Sequence, residues 1–227
     1  MSEGSGALDK GWGCLDEGDF AGARQQAETQ MRDDPENPEA LLLLAACCRG
    51  EGESEKALAL LEQAAQVDEE WGAPAQWMAE IFAEDLGRPA DALKYAAIAL
   101  DRAEEENEFL DAIVLKAGLE IQLGKVKAAQ ATLAELPPAG DVQLPADLSL
   151  DLAYLFLEAD VTLEAEQRFR ALADADPKDA EAWYGLGMCA EDKNDEAAKR
   201  EAWLRVLVLD GDTPLGDPHM KIGRAHV

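Results

Sequence analysis

Residues 38–68 read PEALLLLAACCRGEGESEKALALLEQAAQVD, and this stretch decides the fold. Its first part, residues 40–48, is apolar on every side, whereas residues 57–67 place apolar side chains at the three- and four-residue spacing of one helical face. Gly50 and Gly52 separate the two parts. The pattern predicts two short helices joined by a tight turn. Such short helices are marginal in water, so the hairpin needs neighbours.

The same pattern recurs along the chain with a period of about 34 residues. Shifting the sequence by one period places Cys14 over Cys48 and Gly18 over Gly52. Six hairpins follow one another from about residue 7 to residue 210, with the second helix of the third hairpin one residue late. Small residues recur where paired helices would come closest: Ala23, Ala57, Ala92, Ala129 and Ala165. A fixed period of this length is typical of helical-repeat arrays, so we predict an all-α solenoid of stacked antiparallel helix hairpins.

One irregular stretch divides the array. Residues 136–140 read LPPAG and open the longest connection in the chain. We expect residues 1–6 to be disordered, residues 7–212 to form the repeat domain with a hinge at 137–147, and residues 213–227 to form a tail.

The last six residues, IGRAHV, are what one frame of a common short-read sequencing adapter encodes. We therefore interpret residues 221–227 as an assembly artefact and exclude them from functional reasoning. On this interpretation the chain is the N-terminal part of a longer protein.

Acidic residues dominate the composition, since 48 Asp and Glu against 20 Lys and Arg give a net charge of −28. Nucleic acid and anionic membrane would be repelled, so we predict neither as a direct partner, whereas a basic partner is easier to accommodate. The alternative is that the charge only solvates the outward helix faces. No signal peptide is visible at the start, and the longest apolar run, residues 40–48, is far below the ~20 residues of a membrane span. We expect a cytoplasmic protein.

Residues suited to catalysis are scarce. The two histidines, His219 and His226, follow the last predicted helix, so the array cannot assemble a His-based general base or metal cluster. The four cysteines form no CxxC pair, and we interpret them as buried free thiols. The HExxH, GxSxG and GxxxxGK[ST] motifs are absent. We predict no enzymatic activity, cofactor or metal for these residues.

Several hairpins carry parts of one recurring motif. The sixth supplies Trp183, Leu186 and Gly187, and Lys199 stands where the fifth has Ala165. The other motif residues, in the fifth and first hairpins, are Phe169, Pro177, Gly18, Phe20, Ala23 and Pro35. The motif resembles that of the tetratricopeptide repeat (TPR) family over nearly the whole chain. The resemblance implies a right-handed superhelix.

The resemblance also implies a binding surface. In this family the first helices of the repeats line a concave groove that receives an extended peptide or a partner helix. The matching positions in this chain are Leu8, Trp12, Leu42, Ala46, Gln76, Glu80, Val114, Gly118, Leu150, Tyr154, Tyr184 and Met188. This lining is apolar, aromatic and acidic, so a partner with apolar anchors and flanking Lys or Arg would suit it. Chaperone adaptors of this family hold a terminal carboxylate with Lys, Arg and Asn side chains. These residues are missing at the matching positions, so we do not expect a chaperone-adaptor role.

Three functions fit the sequence. The first is a non-enzymatic protein–protein interaction scaffold that binds a peptide or partner helix in the groove. The second is a regulatory or substrate-presenting module of a truncated enzyme, for example a zincin-type metallopeptidase, and the third is a self-assembling oligomerisation module. An unusually apolar last helix, with Trp203, Leu204 and Leu207, favours the second or the third. For Trp12, Tyr154 and Tyr184, packing against neighbouring helices is the alternative to ligand binding.

Overall fold

The computed structural model describes residues 5–137 and 144–209. Over these ranges the chain forms twelve α-helices in six hairpins, with a π-helical segment, Ile81–Asp85, after the fifth helix. The helices are α1 (Ser5–Asp16), α2 (Phe20–Asp33), α3 (Pro38–Gly50), α4 (Ser54–Val67), α5 (Ala73–Glu80), α6 (Pro89–Asp101), α7 (Glu106–Gln122), α8 (Val126–Leu133), α9 (Ala146–Glu158), α10 (Thr162–Ala175), α11 (Ala180–Asp192) and α12 (Glu196–Leu209).

The chain divides into two compact units, Met1–Thr132 and Leu133–Val227, here the N-terminal and C-terminal units. In the N-terminal unit α1 packs on α2, α3 on α4 and α5 on α6, and each second helix also contacts the first helix of the next hairpin. In the C-terminal unit α9 packs on α10, α11 on α12, and α10 on α11. Each unit is thus a stack of antiparallel helix hairpins, which confirms the predicted all-α repeat fold.

Some predicted boundaries lie outside the described residues. Helix α1 begins at Ser5, inside the segment predicted to be disordered, and residues 1–4 are outside the description. Residues 138–143, at the centre of the predicted hinge, and residues 210–227, which include the tail, are also outside it. The hinge and the tail therefore stay predictions.

Many alanines are fully buried in the core. The five alanines predicted at the closest helix contacts, from Ala23 to Ala165, are all 0% exposed, which confirms their placement. The predicted apolar face of α4 is wrong at two positions. Val67 is 45% exposed because it is the last residue of the helix, and Leu58, outside the predicted face, is buried.

A left-handed residue closes the turn of each hairpin. Glycine occupies this position in the N-terminal unit, as at Gly52 with φ +80°. In the C-terminal unit the position belongs to Asp160 (φ 58°) and Asn194 (φ 55°). Asp and Asn tolerate this backbone conformation better than most side chains, so the turn persists without glycine.

Bulky side chains pack onto glycines of the first helices. A Cβ atom at Gly50 would lie 2.3 Å from the Phe20 ring, and one at Gly185 would lie 2.3 Å from the Phe169 ring. Both rings come from the preceding hairpin, so the missing side chain is what lets adjacent hairpins approach. Gly50, which the sequence pattern placed in the interruption, is the last residue of α3.

Candidate functional site

The first helices of neighbouring hairpins contact one another: α1 with α3 and α5 with α7 in the N-terminal unit, and α9 with α11 in the C-terminal unit. We call the surface that these helices form in each unit the first-helix face. The residues predicted to line a groove all lie on these helices.

Arg49 joins α3 to the hairpin that follows. Its Nη1 donates to Oε2 of Glu80 at 2.8 Å, its Nη2 donates to Glu84, and its Nε lies 3.3 Å from Oδ2 of Asp85. Its guanidinium carbon also lies 5.8 Å from the centroid of the Trp77 ring. Burial alone would lower the pKa of Arg49, but its hydrogen bond to Glu80 and the charges of the three carboxylates raise it. Sequence reasoning identified Glu80 but not Arg49.

The π-helical segment presents two of these carboxylates, Glu84 and Asp85, to Arg49. A π-helical turn accommodates one extra residue in a helix, and such turns are frequent at functional sites. The sequence carried one trace of it, because the second helix of this hairpin comes one residue late in the repeat.

Two tryptophans meet on the first-helix face of the N-terminal unit. The ring centroids of Trp12 on α1 and Trp77 on α5 lie 6.2 Å apart, and both rings pack against the core cluster that contains Leu42. Leu42 is 6% exposed and Ala46 is 4% exposed. A ligand would reach these two predicted groove residues only after neighbouring side chains moved.

Gln76 and Trp77 line a cleft between α5, α6 and α7 with a volume of about 170 Å³. The carboxylates of Glu108 and Asp111 line its other side. Nε2 of Gln76 donates to Oε1 of Glu80 at 3.2 Å, while its Oε1 is buried without a hydrogen-bond partner among the described residues. Burial raises the pKa of Asp111. The sequence singled out Gln76 and Glu80, and the structure adds the other three residues.

Two further predicted groove residues of the N-terminal unit, Val114 and Gly118, lie further along α7 and are partly exposed. Leu8, on α1, is buried.

In the C-terminal unit the rings of the two predicted tyrosines pack against aromatic rings of their own hairpins. The Tyr154 ring meets Phe169 edge-on at 4.9 Å between centroids, and its hydroxyl donates to the carbonyl of Glu181 at 3.4 Å. Burial raises the pKa of Tyr154. Tyr184 is 5% exposed and meets Trp203 edge-on at 5.0 Å.

Leu150 on α9 and Met188 on α11 are partly exposed on the same first-helix face. They are the predicted groove residues of the C-terminal unit that offer apolar surface without an aromatic packing role.

The described part of the chain lacks two other features, a metal-binding cluster and a membrane-spanning helix. Within residues 5–137 and 144–209, His, Cys, Asp and Glu nowhere form a group of three that could hold a metal ion. Over the same ranges, no helix combines the length and apolar character needed to cross a bilayer. Both histidines lie outside the described residues.

Stacked helix hairpins with small residues at their contacts define a helical-repeat protein. The tetratricopeptide repeat family matches residues 15–81 and again residues 150–214, and the two matches together span more than half of the chain. The chain belongs to the tetratricopeptide repeat family, as its sequence motif predicted. None of the curated protein sequences compared with it is a significant match.

Solved structures share the fold at low sequence identity. PilF of Pseudomonas aeruginosa has a TM-score of 0.71 at 16% identity, over 99% of this chain and 97% of its own. PilW, a type IV pilus biogenesis factor, has a TM-score of 0.68 at 17% identity, over 98% and 99%. YrrB, a TPR protein with an unusual peptide-binding site, has a TM-score of 0.66 at 16% identity, over 88% and 98%.

Proposed function

We propose that this protein is a non-enzymatic interaction scaffold that binds an extended peptide or helix of a protein partner on its first-helix face. The observation that carries the proposal is the cleft at Gln76, where α5 and α7 contribute an aromatic side chain and two carboxylate side chains to a common space. Helical-repeat proteins use extended surfaces of this kind for binding.

Partly exposed apolar residues also lie on the first-helix face of each unit. Val114 in the N-terminal unit, and Leu150 and Met188 in the C-terminal unit, offer anchoring points for apolar side chains. Tyr154 adds a partly exposed ring, whereas Leu42, Ala46 and Tyr184 are buried and support the surface from below.

The partner we propose carries Lys or Arg beside its apolar anchors. The net charge of −28 repels phosphate-rich and anionic surfaces and accelerates the approach of basic ones. YrrB, which has the same fold, is described as having a peptide-binding site. A cytoplasmic location stays a prediction.

Selection of random peptides of about twelve residues against the full chain tests the proposal. We expect enriched peptides that combine apolar and basic residues, with Kd values in the micromolar range by calorimetry. Lysine introduced as Val114→Lys, Leu150→Lys or Met188→Lys should weaken binding at least ~10-fold, since a buried like charge opposes a basic ligand.

Leu163→Lys is the matched control, because Leu163 lies on the second helix α10 and is 66% exposed. This variant should bind as the unchanged chain does, and circular dichroism should show equal helix content for all four variants. Failure to enrich any peptide, or equal loss of binding in the control, would refute a first-helix binding surface.

Self-association is a second candidate, favoured by the exposed apolar side chains of α12. Leu204 is 52%, Leu207 49% and Val208 76% exposed. Exposed apolar side chains that adjoin one another are typical of interaction surfaces. Light scattering across concentrations should show a dimer that Leu207→Lys with Val208→Lys dissociates, and a concentration-independent monomer mass would exclude this candidate.

A further inference from the structure

We propose that the cleft between α5, α6 and α7 receives an arginine side chain of the bound protein. This inference rests on the proposed interaction function and names the chemistry that one part of the surface recognises. Four features of the cleft favour arginine: its size, the carboxylates that line it, the aromatic side chain of Trp77 and an unpaired buried acceptor on Gln76.

The size of the cleft suits one side chain. Its volume of about 170 Å³ is below the ~300–1,000 Å³ of pockets that enclose small-molecule ligands. Its walls include the small residues Gly72 and Ala99, and a Cβ atom at Gly72 would lie 3.3 Å from the carbonyl oxygen of Ala99. The start of α5 and the end of α6 therefore approach closely here, and a larger residue at position 72 would require the neighbouring backbone to shift slightly.

Carboxylates determine the charge of the cleft. Glu108 and Asp111 line it, and none of the lining residues is a lysine or arginine. Oε2 of Glu108 accepts hydrogen bonds from the backbone N–H groups of Glu104 at 3.2 Å and Glu105 at 3.4 Å, which hold this carboxylate in place. The end of α6 meets the starts of α5 and α7 here, so the opposed helix dipoles partly cancel and the carboxylates decide the sign.

Gln76 supplies an acceptor that lacks a donor. The carboxylate of Glu80 can only accept, and it already accepts from Arg49, so Gln76 must turn its NH₂ group toward it. The amide atom left unpaired is therefore the oxygen, Oε1. Water does not reach this oxygen in the free protein. Gln76 lines the cleft, so a ligand donor would meet the oxygen once the side chain shifts enough to expose it while its NH₂ group stays on Glu80. A buried acceptor without a partner is destabilising, so gaining a donor is favourable.

Arginine satisfies these groups better than lysine does. Its planar guanidinium can donate two hydrogen bonds to one carboxylate and still contact an aromatic side chain, here Trp77, which also lines the cleft. The guanidinium is also more weakly hydrated than an ammonium group. Losing its water on entering a partly apolar cleft therefore costs less free energy. Asp111 lines the cleft, and its partial desolvation raises its pKa, so a guanidinium beside it would compensate its charge.

The test is an NMR titration of the isotope-labelled full chain with the blocked tripeptide acetyl-Ala-Arg-Ala-amide. We expect saturable shifts of the Gly72 amide, the Gln76 side-chain amide and the Trp77 indole N–H. The lysine tripeptide should bind at least ~3-fold more weakly, and the citrulline tripeptide, which keeps the shape but lacks the charge, should leave the signals unshifted.

Asp111→Asn should raise the Kd of the arginine tripeptide ~10-fold, since a charged hydrogen bond becomes a neutral one. Asp174→Asn removes the same charge from an exposed position on α10 that does not line the cleft, and should leave the Kd within ~2-fold, because exposed charges that make no contact with the ligand are screened. Equal binding of arginine and citrulline, no effect of Asp111→Asn, or shifts confined to other residues would overturn the inference.

The two proposals fail separately in these experiments. If selected peptides bind the first-helix face while the arginine tripeptide leaves the cleft unshifted, the arginine site is wrong and the scaffold function stands. If no peptide is enriched, the scaffold function is wrong, whatever the tripeptide does.

Discussion

Arg49 on α3 donates a hydrogen bond of 2.8 Å to Glu80 on α5 and thereby connects two successive hairpins. The Arg49 side chain is 19% exposed, and the same guanidinium also pairs with Glu84 and Asp85. Arg49 is thus the shared counter-charge for three carboxylates beside the proposed binding cleft.

Replacing Arg49 by alanine should destabilise the N-terminal unit by about 1–3 kcal/mol, because three carboxylates lose their common cation in a partly buried site. Urea or thermal unfolding followed by circular dichroism measures the effect. Arg88→Ala is the matched control, since Arg88 is 55% exposed and pairs with Asp91 within its own helix end. Exposed pairs contribute little, so the control should lose less than ~1 kcal/mol. Equal losses in both variants would contradict the role given to Arg49.

A phenylalanine at position 57 should disrupt the contact between α3 and α4. Ala57 is 0% exposed, so a larger side chain must push the helices apart, at a cost of about 1–3 kcal/mol. Ala59→Phe places the same side chain on the exposed side of α4 and should change the melting temperature little. Unchanged melting of Ala57→Phe would refute the small-residue contact on which the repeat fold depends.

The fold was predictable because repetition multiplies weak signals. One hairpin with Ala57 and Gly52 proves little, but the same small residues at a constant period predict the stack of hairpins and its helix contacts. The turns at Asp160 and Asn194 carried no such signal, since Asp and Asn are common in many other places. Sequence-based reasoning therefore located the helices well and some of their turns poorly.

The candidate site was predictable only in part. The family motif pointed to Gln76 and Glu80, because positions on a first helix follow from the period. Glu108 and Asp111 come from another hairpin, and their position in the cleft depends on packing between hairpins. Arg49 was missed because its role arises from the π-helical segment, whose extra residue turns Glu84 and Asp85 toward it.

Removing the Trp203 ring should destabilise the C-terminal unit. Trp203 packs edge-on against Tyr184, and its ring would come within 3.1 Å of a Cβ atom at Gly187. Trp203→Ala leaves a cavity at this contact and should cost about 3 kcal/mol, seen as a lower melting temperature. Leu204→Ala, at the next residue and 52% exposed, should cost less than ~0.5 kcal/mol. Equal melting temperatures for the two variants would show that the Trp203 ring does not stabilise the core.

The cysteines should differ in their reactivity toward iodoacetamide in the folded protein. Burial raises the pKa of Cys47 to about 11 and that of Cys189 to about 12, so both thiols are neutral at a pH of about 8. Cys14 is partly exposed. Peptide mapping by mass spectrometry should find Cys14 alkylated first, and Cys14→Ser should remove the fast phase. Rapid native labelling of Cys189 would contradict its buried position.

Glu166 should make the C-terminal unit sensitive to acid. Its carboxylate accepts from Lys193 at 2.7 Å and from Arg170 at 3.0 Å, and the hydrogen bond from Lys193 is the main reason that its pKa is lowered, against an opposing effect of burial. A carboxyl group with a lowered pKa in the folded state stabilises that state fully above its ordinary pKa of 4.5. This stabilisation is lost as the pH falls through the folded-state pKa, because protonation removes the charge that Lys193 binds. Glu166→Gln should therefore have a lower melting temperature than the unchanged chain at neutral pH, and the two melting temperatures should converge as the pH falls to about 3. The exposed substitution Glu201→Gln should show no such pH-dependent difference. A melting difference for Glu166→Gln that stays constant over this pH range would show that its carboxylate contributes through packing and not through its charge.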